Sequence, residues 1–270
     1  STMAGNNGFY AFYLEGAGNT VSQSYISGES DANAAVYLGG AASYNTISES
    51  TMTAGGTGAY TLYIEGSNNT IDRSTMTNPG AGTQAVYIAN GTSNMISRSY
   101  IYNPNGPGVL ISGAAQYAAI SQSTVALVTD NAAYTGVEIN SSNNLVSQSW
   151  IEVAGANGGV GVSLNGGSFN TISLSTITTN ASLGYQGVYL WGVSDALVSG
   201  SYIAGATAVQ VGATAGATIT SCTLAGGANG SGIYIENANA AGTFVISTNT
   251  ILPGPQYGIF VQNVGAGGAV

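Results

Sequence analysis

Apolar residues return along this chain in fixed pairs. The first member of each pair is Val21, Ile47, Ile71, Ile96, Ile120, Val146, Ile172, Val198, Ile219 or Ile246, and the second, five positions later, is Ile26, Met52, Met76, Ile101, Val125, Ile151, Ile177, Ile203, Leu224 or Ile251. The pairs sit in a recurring octapeptide that reads NTISESTM at 45–52, NTIDRSTM at 69–76 and NTISLSTI at 170–177. Side chains alternate across a strand, so an odd spacing cannot place both members on one face of a single flat strand. The chain must turn a corner between them.

Midway between these motifs lies an apolar triad with a variable centre, as in Val36-Tyr37-Leu38, Leu62-Tyr63-Ile64, Val137-Glu138-Ile139 and Ile233-Tyr234-Ile235. Its in-out-in alternation predicts a strand with one buried face. Gly-, Asn- and Ser-rich connections separate the segments, and no stretch keeps a helical apolar period. A self-similar unit of about 25 residues that cannot bury its own apolar face predicts a solenoid, with three short strands in each of about 10 to 11 coils. The fold class expected is all-β, a right-handed single-stranded parallel β-helix. Residues 1–270 are expected to form one such domain, an excerpt or one subunit of a longer or polymeric shaft.

The N-T-I-S-x-S-x-I repeat, with its triad half a coil later, resembles the parallel β-helix repeat of the pectate-lyase-like superfamily across essentially the whole chain. In that family the corner within the motif is a two-residue turn often filled by stacked Asn. Carried onto this sequence, the resemblance makes Ser24, Ser50, Ser74, Ser99, Ser123, Ser149, Ser175 and Ser201 a structural corner ladder, continued by Cys222 and Asn249. Hydroxyls stacked in this way satisfy buried backbone groups from coil to coil.

Composition narrows the functions. Only 5% of residues are charged, and two Arg stand against 11 acids for a net charge of −9. Affinity for nucleic acid comes largely from Lys and Arg on phosphates, so no nucleic-acid partner is expected. No run reaches the length of a membrane span. A single cysteine precludes an internal disulfide.

The resemblance implies polysaccharide lyases, which use a basic proton acceptor and calcium-binding acids, or hydrolases with clustered Asp. The residues point elsewhere. His and Lys are absent, which removes the commonest general bases and imidazole metal ligands, and neither a cofactor nor a metal site is expected. Arg73 and Arg98 fall at one motif position in adjacent coils with Glu49 in the coil before, predicting an outward charge column beside Asp72. Of the carboxylates, Glu138 alone occupies the centre of a triad, and Asp130 reaches it only if its loop folds back.

The distinctive exposed feature is aromatic. Tyr13, Tyr37, Tyr63 and Tyr87 hold the triad centre in consecutive coils, and Tyr189 and Tyr234 return to it later. They form a candidate contact surface, either packing laterally or stacking on sugar rings. A Thr-x-Thr pattern at 51–53, 75–77 and 176–178 is interrupted by Tyr100, Tyr102, Trp150 and Glu152, which argues against a flat ice-matching face. With few catalytic residue types and open strand edges expected at both ends, the leading expectation is a non-catalytic extracellular structural shaft. It would belong to a filament, appendage or adhesin and form a homopolymer end to end or laterally. The alternative is a carbohydrate-binding or polysaccharide-degrading β-helix with glycans on the tyrosine face.

Overall fold

The computed structural model describes residues 1–5, 9–28, 33–128, 133–236 and 243–262. They form a right-handed parallel β-helix. Each coil contributes one strand to each of three sheets. Sheet A runs from Thr2–Gly5 to Thr250–Ile251 in 11 strands, sheet B from Tyr10–Leu14 to Tyr257–Gln262 in 11, and sheet C from Thr20–Ser22 to Thr243–Ser247 in 10. Every strand pairs in parallel with its equivalents in the adjoining coils, the end strands of each sheet on one side only. The only helical segment among the described residues is the 3-10 turn Ala181–Leu183, and no helix is long and apolar enough to cross a membrane.

The register explains why the sequence columns are apolar. Ile47, Ile71, Ile96 and Ile120 are successive partners on sheet C. Met52, Met76 and Ile101 stack on sheet A, and Val36, Leu62 and Val86 on sheet B. All are essentially inaccessible to solvent. Each such side chain contributes about 1.5–3 kcal/mol of burial, before conformational entropy is subtracted. One continuous core therefore fills the shaft.

Two corners flank each sheet C strand, and both are built alike. Within the motif, the residue before each corner serine is left-handed: Gln23, Glu49, Arg73, Arg98, Gln122, Gln148 and Leu174 have φ between 47° and 51°, and Gly200 takes the same role at 58°. A left-handed non-glycine costs about 1–2 kcal/mol, and the side chains that follow supply a compensating network. The Ser24 amide donates to Ser50 Oγ at 3.1 Å, Ser50 to Ser74 at 3.2 Å, and the series continues through Ser99, Ser123, Ser149, Ser175 and Ser201. Each hydroxyl donates back to the carbonyl two residues earlier, as Ser50 does to Ser48 at 2.8 Å. Cys222 stands in this column, buried, with its amide donating to Asn249 Oδ1 at 2.9 Å; burial raises its thiol pKa.

The corner that enters the motif carries a second ladder, of asparagines. The Asn45 amide donates to Asn69 Oδ1 at 3.1 Å and the Asn69 amide to Asn94 Oδ1 at 3.0 Å, while each Nδ2 reaches a carbonyl of the preceding coil, as Asn69 does to Ala42 at 3.0 Å. Stacked asparagines, which the resemblance associates with the corner inside the motif, thus occupy the other corner in this chain. Left-handed residues precede this column too, including the exposed aromatics Tyr44 and Phe169 before asparagines and Tyr117 before Ala118, at φ 55–57°.

Candidate functional site: two aromatic faces

Sheet B turns one aromatic face outward. Strand pairing sets Tyr13, Tyr37, Tyr63 and Tyr87 in one column, with Tyr10 and Tyr60 alongside. Ring centroids lie 5.3 Å apart for Tyr13 and Tyr37, 5.0 Å for Tyr37 and Tyr63, and 5.1 Å for Tyr63 and Tyr87, with Tyr10 4.6 Å from Tyr37. Interplanar angles along this run are 8–28°. The ring faces are therefore turned on one another, and the column offers solvent its edges and hydroxyls.

Acids cap those hydroxyls. Tyr13 donates to Glu15, while Tyr37 and Tyr63 both donate to Glu65, at 2.5 and 2.9 Å. The Glu15 hydrogen bond raises the Tyr13 pKa above that of a free phenol; for Tyr37 and Tyr63, burial raises it first and the Glu65 bond adds to it. Further along, the column passes through Leu110, Glu138 and Ser163 before Tyr189, and through Gln210 before Tyr234. Tyr189 stacks on Trp191 at 5.9 Å and Tyr234 on Phe260 at 5.4 Å. The six tyrosines singled out in the sequence thus share a sheet, with Tyr13, Tyr37, Tyr63 and Tyr87 in one cluster and Tyr189 and Tyr234 in separate ones.

Sheet A is arranged differently. Its outward column runs Tyr100, Thr124, Trp150, Thr176, Tyr202, so large rings alternate with threonines. Equivalent residues in neighbouring coils stand about 4.8 Å apart, which leaves about 10 Å between one ring and the next. Among the described residues no ring stacks on Trp150, and 51% of its surface is exposed. Glu152 projects from the same strand, Trp150–Ala154, on the same side and is also exposed. It borders a depression with Gly155, Thr178, Thr179 and Asn180. Asn180 Nδ2 donates to the Gly155 carbonyl at 3.2 Å, pinning the rim of one coil to the next, and its own side chain caps the 3-10 turn that follows.

The remaining charges are largely committed. Asp72 accepts from Ser97 Oγ at 2.8 Å and from Arg98 Nε and Nη2 at 2.8 Å each; Arg73 reaches Asp72 and Glu49, both at 3.2 Å. Burial pushes the Asp72 carboxyl up, but the Arg98 and Ser97 bonds and the Arg73 charge outweigh it and hold it below the usual carboxylate range. Glu138 accepts from Asn140 Nδ2 at 3.0 Å. Asp130, its prospective partner, lies outside the described residues, as do residues 263–270 at the end of the chain. Among the described residues no group of three acidic or cysteine side chains gathers to hold a metal ion.

The family profile described as right handed beta helix region matches residues 1–125 and 127–267. The chain belongs to this right-handed β-helix family. No curated protein sequence matches it. Among solved structures it is similar to the Dettilon tailspike protein, with a TM-score of 0.64 and 15% identity over 90% of this chain and 55% of that one. It is also similar to the A-module of the Azotobacter vinelandii mannuronan C-5 epimerase AlgE4, at 0.63 and 14% over 93% and 84%. A third likeness is to a mutant tailspike protein of E. coli bacteriophage HK620 in complex with a pentasaccharide, at 0.64 and 9% over 94% and 56%. The present β-helix thus spans little more than half the length of either tailspike.

These likenesses correct the leading expectation. Against the expected non-catalytic filament, appendage or adhesin shaft without enzymatic activity, the solved structures that share this coil include an epimerase module and a tailspike in complex with a pentasaccharide. The expectation rested on the missing His and Lys, on open strand edges at both ends and on aromatic columns available for lateral packing. Carbohydrate chemistry can run on carboxylates alone, and exposed carboxylates remain. In the sequence Trp150 belongs to an outward column in which Tyr25, Tyr100, Trp150 and Tyr202 alternate with threonines, a pattern that suits ring stacking or a contact surface and does not by itself single out Glu152. The usable signal was the alternation of large and small residues down that column.

Proposed function

We propose that this chain is a polysaccharide-acting β-helix protein of the cell exterior, and that it engages a glycan on the outer face of sheet A around Trp150. The observation that carries the reading is the unstacked indole of Trp150 with Glu152 beside it at the edge of a depression. An indole face free of ring partners packs against the apolar face of a sugar, and a neighbouring carboxylate accepts hydrogen bonds from its hydroxyls. Thr124 and Thr176 leave a sugar-width gap on either side. Glu152 is then the acid best placed to transfer a proton at a glycosidic bond, with a second carboxylate required at about 5–10 Å for hydrolysis. The glycan-related neighbours support the reading at the level of fold.

A second contact zone is supported by the shallow depression among Phe9, Tyr10, Tyr13 and Tyr37. Glycans meeting the tyrosine face would do so through hydroxyl groups and Glu15 or Glu65. The test is a panel of polysaccharides incubated with the 270-residue chain, following Trp fluorescence for binding and new chain ends for turnover. Glu152→Gln is expected to keep binding and lose turnover. A panel that yields neither signal, or turnover unchanged by Glu152→Gln and Trp150→Ala, would refute the assignment.

A further inference from the structure

Resting on the glycan-engaging reading above, we infer that the polysaccharide taken at the Trp150 face carries no negative charge: its sugars are neutral or amine-bearing, and polyuronates or sulfated chains are excluded. The argument is one of charge placement. The chain carries −9 overall, and its two cations are Arg73 and Arg98. Both are neutralised where they stand, Arg73 between Glu49 and Asp72 at 3.2 Å and Arg98 in a two-pronged contact with Asp72 at 2.8 Å. They also project from the corner within the motif two and three coils before Trp150, and the equivalent corner positions nearer to it are the uncharged Gln122 and Gln148.

The face itself bears the opposite sign. Glu152 is exposed beside Trp150, and the neighbouring outward residues Thr124, Ala126, Thr176 and Thr178 are uncharged. An anionic glycan needs cations, or a metal bridge, to offset the loss of its hydration. Neither is present among the described residues, which gather no metal-holding group of acids. Each carboxylated sugar laid along the face instead meets Glu152 and the field of a net acidic shaft. A neutral sugar meets the indole and threonine hydroxyls at no electrostatic cost, and an ammonium-bearing sugar gains Glu152 as a partner. The inference therefore separates this chain's substrate from a uronate polymer such as mannuronan, on charge alone.

The experiment titrates the full chain, by Trp fluorescence and calorimetry, with oligosaccharides of matched length from three classes: neutral hexose or pentose chains, chitosan fragments, and oligomannuronate. Each is run with and without EDTA, at about 0.02 and about 0.5 M salt. Oligomannuronate is expected to bind about tenfold or more weaker than the better of the other two, with the deficit shrinking at high salt. The arms distinguish the two remaining sources: chitosan affinity falls with salt, whereas neutral-chain affinity does not. Glu152→Gln should improve oligomannuronate binding while leaving the thermal midpoint unchanged. Oligomannuronate binding as tight as the others, or dependent on a chelatable cation, would overturn the inference and leave the glycan-engaging reading standing. Failure of all three classes to bind would remove both.

Discussion

The outward faces of sheets A and B are made from the same residue types and end in opposite states. On sheet B, tyrosines in consecutive coils pair face to face, and Glu15 and Glu65 accept their hydroxyls, so each ring is spent on its neighbours. On sheet A a threonine follows each ring, and among the described residues no ring stacks on Trp150. One-coil spacing makes a structural ladder; two-coil spacing makes unfilled slots between aromatic walls. Exposure alone would have ranked Tyr13 and Trp150 equally, at 51% each.

The largest separation of the two faces should come from alkali. Tyr13, Tyr37 and Tyr63 have raised pKa values in the fold, so their stabilising contribution is complete below the ordinary phenol pKa of about 10 and is lost as pH rises through the folded values. Thermal melts between neutral pH and pH of about 11 should show a falling midpoint, and Tyr37→Phe, which removes a titrating group, should flatten that slope. An equal slope in both proteins would break the comparison.

Next, Tyr37→Ala removes a ring held between Tyr10, Tyr13 and Tyr63 and should cost about 2–3 kcal/mol in urea unfolding with glycan affinity at sheet A unchanged. Trp150→Ala should do the reverse. Stability stays within about 0.5 kcal/mol, while glycan affinity falls about tenfold, or about 1.4 kcal/mol. The smallest effect, and the sharpest, comes from Thr176→Tyr. A ring set between Trp150 and Tyr202 would rebuild the one-coil spacing of sheet B, adding about 0.5–1 kcal/mol of stability while closing the slot and lowering affinity.

How far the sequence reached depends on what kind of force acts at each position. Inward columns such as Ile47, Ile71 and Ile96 were legible because burial selects apolar residues regardless of detail, and the odd spacing to Met52 or Met76 demanded a corner. The charge column was legible for a similar reason, since equivalent positions stack and opposite charges attract; Arg73 reaches both Glu49 and Asp72. The left-handed state of Tyr44 and Phe169 was not. Glycine or asparagine is the usual signal for it, and here the neighbouring asparagine ladder holds the backbone whatever side chain is present. Ring orientation was also hidden. A column of tyrosines in sequence does not reveal whether their faces meet water or each other, and that distinction decides between ladder and platform. Function was misread because missing residue types were weighed above those present: Trp150 beside Glu152 is a small signal that depends on what lies one coil away.

Both corner ladders share a direction. In each, the amide of one coil donates to a side-chain oxygen of the coil that follows it in the chain, from Ser24 to Ser50 onward and from Asn45 to Asn69 onward. A coil emerging from the ribosome therefore has its corners left unfinished until its successor arrives. Synthesis and bonding run the same way, so assembly should proceed like a zipper with one moving front. Cutting the chain within the coil of Asn69 and Ser74 would leave the amides of Asn45 and Ser50 unmet on the coil upstream.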